Sequence, residues 1–266
     1  MSHFVVEIEL TTACTRNCPF CRPTLLPEDR DFPAYLTEKL HSKLIGELAS
    51  VGWDKWIVYC GHGEPTMHPK ILGFLLEARR RLPNAKLALA TNGDNLTAEF
   101  LRSAPLDCIC WDCYDNDATA ARMGDVVRES GFPPEKFAVI DFVNWRKLEW
   151  LSRAGTGFKS DRAGETRHKP CLAPQRKIFF SARGRFSLCC NDGHRRVTWD
   201  CTLPELLKDA KYIQAQTDLA QGNREPYAPC AECEYAGAPP EWPDNGLVYF
   251  YPSLDKTRFW RWNAKG

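Results

Sequence analysis

The sequence has no excess of charge of either sign and no long apolar run. Lys and Arg number 35 and Asp and Glu number 34, so the charge balance does not favour nucleic acid or an anionic membrane as a partner. No window approaches the roughly 18 apolar residues of a membrane span, and the start lacks the basic and apolar segments of a secretion signal. We therefore expect a cytoplasmic protein that binds neither membranes nor nucleic acid.

Two short basic runs interrupt this even balance. They cover Arg79 to Arg81 and His194 to Arg196. Either run could contact phosphate groups, but a solvated protein surface is the simpler interpretation.

Cysteine, in contrast, is abundant. The chain has 13 cysteines among 266 residues, an odd number, and many of them are clustered. In a reducing compartment such cysteines are more often metal ligands or reactive thiols than disulfide partners. The cysteine clusters are therefore the first place to look for chemistry.

The first half of the chain alternates β-rich runs with helical patterns. This alternation is typical of βα units around a parallel sheet, so we predict an α/β fold. The predicted strands cover residues 4–10, 56–60, 85–91, 107–112 and 136–142.

The pattern changes beyond about residue 150. Gly, Arg and Pro become more frequent, and residues 177–190 resemble a hairpin that turns at Gly184. One further helix is flanked by cysteines, which favours a small domain held together by metal. We predict three parts: a main domain over 1–160, a small Cys-rich domain over 161–240, and an aromatic tail over 241–266 that packs on the main domain.

Three cysteines follow the first predicted strand with the spacing C-x₃-C-x₂-C. Cys14, Cys18 and Cys21 could hold three irons of a [4Fe–4S] cluster and leave the fourth iron open to another ligand. A zinc ion would need a fourth donor, and the nearest histidine on this side of the loop, His41, falls within a predicted helix. The spacing therefore favours an open iron–sulfur cluster.

Two further motifs follow the next two strands. They are "GHGEP" at Gly61 to Pro65 and "TNG" at Thr91 to Gly93, and Phe20 precedes the third cysteine. In this order and spacing, they and the cysteine loop resemble the radical S-adenosylmethionine (radical SAM) enzymes. The resemblance covers roughly the first 160 residues and implies a partial (β/α)₆ TIM-type barrel.

The resemblance implies how the cofactors bind. In this family the amine and carboxylate of SAM chelate the open iron of the [4Fe–4S] cluster. Gly61 and Gly63 would let the backbone approach the amino group, and Glu64 would accept a hydrogen bond from it. Thr91 and Asn92 resemble residues that contact the ribose side of SAM.

Further positions follow from the same resemblance. Phe20 would lie against the adenine of SAM. Asp112 and Arg122 fall where the family often places polar contacts to SAM, although a surface ion pair or a helix-face charge fits them equally well. His62 departs from the pattern, because many relatives have a glycine there.

A second set of four cysteines resembles the "twitch" extension, a shortened SPASM domain of radical SAM enzymes. The resemblance implies one auxiliary [4Fe–4S] cluster without an open iron, whereas zinc fits four thiolates equally well on spacing alone. Cys190 could replace its neighbour Cys189 as a ligand. No cysteine follows Cys233, so one auxiliary cluster is the limit. The four predicted ligands are Cys171, Cys189, Cys230 and Cys233.

Four other cysteines lie in or beside predicted strands. Cys60, Cys108 and Cys110 are most simply small core residues. Cys113, at the end of the fourth strand, could instead donate a hydrogen atom to a substrate radical, as radical SAM epimerases require.

Size and layout also resemble twitch-type dehydrogenases of aminocyclitol pathways. This implies oxidation of a small polyhydroxylated or amino-sugar-like substrate, with the auxiliary cluster as electron acceptor and a flavodoxin- or ferredoxin-type protein as reductant. Such enzymes place an arginine against the substrate. Arg153 and Arg162 are the candidates, and a surface position is the alternative for each.

Two other functions remain open at this point. One is a radical SAM enzyme that epimerises its substrate or modifies a peptide, although we expect no leader-peptide-binding domain because the first strand begins near Phe4. The other is a non-catalytic zinc-binding module, for which the "GHGEP" and "TNG" motifs would be coincidences.

Overall fold

The structure, a computed structural model, describes most of the chain. The described residues are 3–18, 21, 28, 31–114, 117–141, 168–233 and 259–261.

Six parallel strands form the centre of one open sheet, which confirms the predicted α/β partial barrel. Their order across the sheet is β6-β1-β2-β3-β4-β5. The parallel strands are β1 (Val5–Ile8), β2 (Trp56–Tyr59), β3 (Lys86–Thr91), β4 (Cys108–Cys113), β5 (Phe137–Asp141) and β6 (Lys177–Phe180).

Antiparallel strands extend both edges of this sheet. β7 (Phe186–Ser187) pairs with β6, and β8 (Thr198–Trp199) pairs with β7. At the other edge β9 (Phe259–Arg261), from the predicted aromatic tail, pairs with β5.

Helices follow the first four strands, as a βα pattern requires. Thr37 and Thr97 cap the first and third of these helices by accepting a hydrogen bond from a backbone amide of the first turn. Among the described residues, none of the helices combines the length and apolar character needed to cross a membrane. The helices are α1 (Glu38–Ser50), α2 (Ile71–Arg81), α3 (Ala98–Ser103), α4 (Asp117–Ser130), α5 (Ala173–Arg176), α6 (Leu203–Leu206), α7 (Ala210–Ala220) and α8 (Ala228–Ala231).

The two faces of the sheet differ in chemistry because side chains alternate along each strand. In β1, Val6 and Ile8 belong to the hydrophobic core, whereas the buried Glu7 lies on the opposite face. Glu7 accepts a hydrogen bond of 2.6 Å from the ammonium group of Lys177 in β6. One face therefore packs in the hydrophobic core while the other holds buried ionisable groups.

The predicted hairpin at 177–190 exists, but its first strand also belongs to the main sheet. β6 pairs in parallel with β1, with Val5 opposite Lys177 and Ile8 opposite Phe180. Ile178 and Phe180 join the same hydrophobic core as β1. Strand β6 of the predicted Cys-rich part is thus continuous with the barrel sheet, and the boundary near residue 160 stays a prediction.

Candidate functional site

The loops that follow β1 to β4 enclose a cavity of about 540 Å³, which we call the cysteine cavity. The carboxyl ends of parallel strands meet here, so residues from distant motifs come together. The lining comprises Cys14, Arg16, Cys18, Cys21, Cys60, Gly61, His62, Gly63, Glu64, Ala90, Thr91, Asn92, Asp112 and Tyr114.

Glu64 connects two of the predicted motifs. One carboxylate oxygen accepts hydrogen bonds from the Thr91 hydroxyl at 2.7 Å and from the Thr66 hydroxyl at 2.6 Å. The other accepts the Asn92 amide at 2.8 Å. Burial raises the pKa of Glu64, although the hydrogen bonds from Thr66, Asn92 and Thr91 act in the opposite direction. This network fixes a carboxyl group in the wall of the cavity.

Gly63 allows a close approach of two backbones. A Cβ atom at this position would lie 2.1 Å from the carbonyl oxygen of Thr11 and 2.6 Å from that of Ala13. The next amide, of Glu64, donates to the Ala13 carbonyl at 2.7 Å. The turn after β2 therefore lies directly on the segment that leads to Cys14. This contact is a role for Gly63 in addition to the predicted approach to SAM.

The cysteine loop is also tied to the turn after β3. The Asn92 side-chain amide donates to the Thr15 hydroxyl at 3.0 Å and lies 3.7 Å from the Cys14 sulfur. Asp94 accepts from the Arg16 guanidinium at 2.9 Å and 2.5 Å and from the Thr15 hydroxyl at 2.6 Å. Burial opposes ionisation of Asp94, but these hydrogen bonds and the Arg16 charge outweigh it and lower the pKa. Two loops are thereby held together beside the thiols.

His62 is held by a buried carboxylate. Its backbone amide and its Nδ1 lie 3.1 Å and 3.2 Å from Glu9 Oε1, and the Arg195 guanidinium lies 3.1 Å from Glu9 Oε2. Burial opposes ionisation of Glu9, but His62, Arg195 and the amide of Ala182 outweigh it and lower the pKa to about 2. Gly61 is needed beside this group, because it has φ +148° and its Cβ would lie 2.6 Å from Glu9.

The remaining predicted residues are placed differently. Asp112 is buried and lines the cavity, whereas Arg122 donates to the Gly93 carbonyl at 2.9 Å and supports the turn after β3. Cys113 lies in the hydrophobic core, on the other face of β4 from Asp112, and is not among the residues that line the cavity. The role of Cys113 as a hydrogen-atom donor stays a prediction. Phe20, Arg153 and Arg162 lie outside the described residues.

Several residues of this cavity were not among the predicted site residues. Arg16 and Asp94 form the link between the loops, and Tyr114 lies beside Arg16, whose guanidinium is 5.5 Å from the ring centre. Cys60, predicted to be a core residue, lines the cavity. Asp94 and Cys60 could have been identified from their positions beside motifs. Asp94 directly follows "TNG", and Cys60 directly precedes "GHGEP".

The second cysteine set lines a separate cavity of about 390 Å³, which we call the auxiliary cavity. All four predicted ligands contribute to it, and Cys190 is not among the lining residues. The lining comprises Cys171, Pro174, Leu188, Cys189, Asn191, Asp192, Arg224, Pro229, Cys230 and Cys233.

A buried arginine holds the auxiliary cavity together. Arg224 is 1% exposed and donates to the carbonyl oxygens of Lys169 at 2.9 Å and Cys233 at 3.2 Å. Burial raises the pKa of the Cys171 and Cys230 thiols, while the charge of Arg224 acts in the opposite direction. Arg224, which was not among the predicted site residues, therefore favours thiolates in this cavity.

Within the described ranges, no three His, Cys, Asp or Glu side chains converge closely enough to hold a metal ion. The thiols of each set instead line the wall of a cavity. Soft sulfur donors of this kind suit iron–sulfur clusters as well as zinc.

The fold and the cavity together define a class of protein. They describe an open parallel α/β sheet whose strand ends present three thiols, a G-x-G-E-P turn and a T-N-G turn. Residues 8–109 match the family model of the radical SAM superfamily. For these residues the match confirms the resemblance to the radical SAM enzymes that the motifs predicted.

One sequence relative and two solved structures are also similar to this chain. The tungsten-containing aldehyde ferredoxin oxidoreductase cofactor-modifying protein of Pyrococcus furiosus is 29% identical over 98 residues. The match covers 36% of this chain and 25% of that protein, so the chain aligns with only about a quarter of its relative.

Two crystal structures of BtrN share the fold. The complex of BtrN with AdoMet and 2-DOIA has a TM-score of 0.71 at 17% identity, and the match covers 88% of this chain and 94% of that chain. BtrN in an open conformation has a TM-score of 0.66 at 16% identity, with the same coverage. The similarity therefore extends well beyond the radical SAM domain.

Proposed function

We propose that this protein is a radical SAM oxidoreductase that removes hydrogen from a small polyhydroxylated or amino-sugar-like substrate. One observation carries the proposal: three thiols and the residues of two SAM-binding motifs line the same cavity. The four remaining predicted ligands line a second cavity, which supports an auxiliary cluster as the electron acceptor.

The cysteine cavity suits a [4Fe–4S] cluster and SAM. Cys14, Cys18 and Cys21 would hold the cluster, and Glu64 offers an oxygen acceptor for the amino group of SAM. When bound, a reduced cluster with SAM supplies a 5′-deoxyadenosyl radical that removes a hydrogen atom from the substrate.

The chain's own residues position and shield this chemistry. Thr91 and Asn92 fix the carboxylate of Glu64, while the contacts of Arg16 with Asp94 hold the cysteine loop against the turn after β3. Asp112 places a second carboxyl group in the lining. A pre-arranged polar wall of this kind orients a charged ligand without reorganising when it binds.

Further parts of the proposal concern the substrate and the reductant. We infer from the family resemblance that Arg153 or Arg162 contacts the substrate and that a flavodoxin- or ferredoxin-type protein supplies the electron. The similarity of the fold to BtrN, solved with AdoMet and 2-DOIA, supports a small-molecule substrate.

The first experiment is anaerobic purification followed by iron and sulfide analysis and an assay for 5′-deoxyadenosine with SAM and dithionite. About eight irons per chain, together with 5′-deoxyadenosine, are expected for two clusters. About four irons with 5′-deoxyadenosine would remove the main support for an oxidation. A reconstituted protein with neither iron nor 5′-deoxyadenosine formation would contradict the proposal as a whole.

A further inference from the structure

The auxiliary cavity has a buried carboxylate in its wall. Asp192 is 2% exposed and lines this cavity together with the four predicted cysteine ligands. It is the only acidic side chain in the described lining. Because a [4Fe–4S] cluster with four thiolate ligands is itself negatively charged, a carboxylate beside it would act directly on the charge of the cluster.

Hydrogen bonds of its own loop fix Asp192 in this position. Its Oδ2 atom accepts a hydrogen bond from the amide of Val197 at 2.9 Å, and its own amide donates to the carbonyl oxygen of Cys189 at 3.1 Å. The amide of Leu188 donates to the carbonyl oxygen of Val197 at 3.1 Å. Asp192 is therefore held by the same loop that carries the predicted ligand Cys189.

The second carboxylate oxygen of Asp192, Oδ1, is buried and accepts no hydrogen bond from the residues that the structure describes. The Nε atom of Arg196 lies 3.6 Å from it, which is an ion pair too long for a hydrogen bond. Arg196 also pairs with Glu232, at 3.4 Å. The second basic run of the sequence thus pairs here with acidic side chains of the chain itself.

The charge of Asp192 acts on the thiols of the cavity. Burial raises the pKa of the Cys230 thiol most, the neighbouring thiols and the charge of Asp192 raise it further, and the charge of Arg224 lowers it. Asp192 and Arg224 both line the cavity, whereas Arg196 is not among its lining residues. The carboxylate is therefore closer to the thiols than the arginine that pairs with it.

Nearby charge is one of the properties that set the reduction potential of an iron–sulfur cluster. Reduction adds an electron, so a neighbouring negative charge disfavours the reduced state and lowers the potential. Solvent screens a buried charge much less than an exposed one, which makes the effect of a buried carboxylate large.

The proposed oxidation gives a low potential a purpose. An electron acceptor must be in its oxidised state when the substrate radical forms. The same protein is exposed to the reductant that supplies the SAM-binding cluster, and this reductant would also reduce an auxiliary cluster of higher potential. A negative charge beside the auxiliary cluster opposes that reduction.

We propose that the carboxylate of Asp192 lowers the reduction potential of an auxiliary [4Fe–4S] cluster and so keeps this cluster oxidised in the presence of the reductant. The position of Asp192 in the cavity wall stands on the geometry above, whereas the cluster itself rests on the proposed function. The inference assigns Asp192 to the control of the electron acceptor, without making it a ligand.

The test is a stepwise reduction of the reconstituted full-length protein with europium(II) chelates, followed by electron paramagnetic resonance spectroscopy. SAM binds the open iron, so the signal that SAM leaves unchanged belongs to the auxiliary cluster. Asp192→Asn keeps the shape of the side chain and an acceptor for the Val197 amide, but removes the charge. The ratio of reduced to oxidised auxiliary cluster at a given potential should rise about tenfold, which corresponds to about 59 mV for one electron.

Two control variants separate the buried charge from other effects. Asp200→Asn removes the same charge from an exposed residue outside the described lining and should leave the potential unchanged. Asp192→Glu keeps the charge and should stay close to the potential of the unmutated protein. An unchanged potential in Asp192→Asn would overturn the proposal, and so would an equal rise in either control.

Arg196→Gln tests the same charge without altering the buried carboxylate. The Arg196 side chain is 28% exposed, and its removal leaves the charge of Asp192 less compensated. The auxiliary potential should therefore fall in this variant, also if Asp192→Asn does not retain its cluster. An unchanged or higher potential in Arg196→Gln would contradict the proposal.

Iron analysis of the unmutated protein separates this inference from the proposed function. About four irons per chain would remove both the auxiliary cluster and the role of Asp192. About eight irons, with equal auxiliary potentials in the unmutated protein and Asp192→Asn, would overturn the role of Asp192 alone.

Discussion

Cys18 is the middle thiol of the three that line the cysteine cavity. If these thiols hold the SAM-binding cluster, Cys18→Ala removes one of the three ligands. We expect the variant to lose 5′-deoxyadenosine formation entirely, because two thiolates cannot retain a cluster whose third iron has no protein ligand. The measurement is chromatography of 5′-deoxyadenosine after incubation with SAM and dithionite.

Cys201→Ala is the matched control for Cys18→Ala. Cys201 is a partly buried cysteine that lines neither cysteine-containing cavity. It should keep the activity of the unmutated protein. Normal 5′-deoxyadenosine formation by Cys18→Ala would refute its assignment as a ligand.

Gly63 gives a second prediction for a single residue. Gly63→Ala would place a methyl group 2.1 Å from the Thr11 carbonyl, so the loops must move apart. We expect a loss of about 2 to 4 kcal/mol in the free energy of unfolding and a lower iron content. Urea unfolding and iron analysis measure the two effects.

Gly73→Ala is the control for the glycine substitution. Gly73 lies inside α2, and a Cβ there meets no atom within 4 Å. Higher helix propensity should leave the stability unchanged or raise it by up to about 1 kcal/mol. Equal free energies of unfolding for Gly63→Ala and Gly73→Ala would show that the close approach of the two backbones at Gly63 does not affect stability.

The sequence predicted single residues well where a contiguous motif carries them. Glu64, Thr91 and Asn92 belong to short motifs, and the structure brings all three to one cavity. The link between Arg16 and Asp94 joins residues 78 positions apart, and neither stands at a position that a motif specifies. Such a pair becomes visible only when the fold brings the two loops together.

At the scale of elements, the positions of the parallel strands along the chain were predictable. Which strands lie side by side in the sheet was not. The apolar and β-branched runs predicted β1 to β5, because buried parallel strands read as such runs. The hairpin at 177–190 was also expected, yet nothing in its sequence specifies that β6 lies beside β1. Sheet order depends on long-range packing, here on Ile178 and Phe180 joining the core of β1.

The link between two loops gives a prediction at the same scale. Asp94→Asn keeps the shape of the side chain but removes the charge that pairs with Arg16. The cysteine loop should then be held less firmly, and the protein should lose iron faster during anaerobic dialysis. A charge-assisted contact of this kind is worth about 1.5 to 3 kcal/mol when it is well shielded, and less here because Asp94 is partly exposed.

Asp125→Asn provides the comparison for Asp94→Asn. Asp125 pairs with Arg128 on the exposed face of α4, far from the thiols in sequence. Iron retention should equal that of the unmutated protein. Equal rates of iron loss in the two variants would show that the contact between Asp94 and Arg16 does not stabilise the cysteine loop.

At the scale of the whole molecule, Glu9 connects β1 to the loop after β2 and to two segments beyond residue 180. Its pKa is lowered from 4.5 to about 2 in the folded protein. A carboxyl group with a lower pKa in the folded state stabilises the fold above pH 4.5, and this contribution is lost as the pH falls towards 2. The full contribution corresponds to about 3 kcal/mol.

We therefore expect the unmutated protein to lose stability between pH 4.5 and pH 2 partly through Glu9. Urea unfolding of the cluster-free protein measures this, and Glu9→Gln should show a flatter decline over that range. The control Glu99→Gln changes an exposed residue in the first turn of α3 and should follow the unmutated curve. A Glu9→Gln curve parallel to the unmutated one would contradict the role of Glu9.

At the scale of the whole molecule, the cysteine cavity and the auxiliary cavity would also carry different steps of the proposed reaction. One pair of variants tests this division. Cys230 lines the auxiliary cavity, whereas Cys190, the neighbour of the predicted ligand Cys189, is not among its lining residues. Cys230→Ala should lower the iron content by about four atoms per chain. It should still form 5′-deoxyadenosine, because the cysteine cavity keeps all its thiols.

The control variant, Cys190→Ala, should keep the full iron content. If Cys190→Ala loses about four irons and Cys189→Ala does not, then Cys190 is the ligand. If Cys230→Ala instead keeps all its iron, the second cysteine set does not hold an iron–sulfur cluster. The proposed oxidation would then require another electron acceptor.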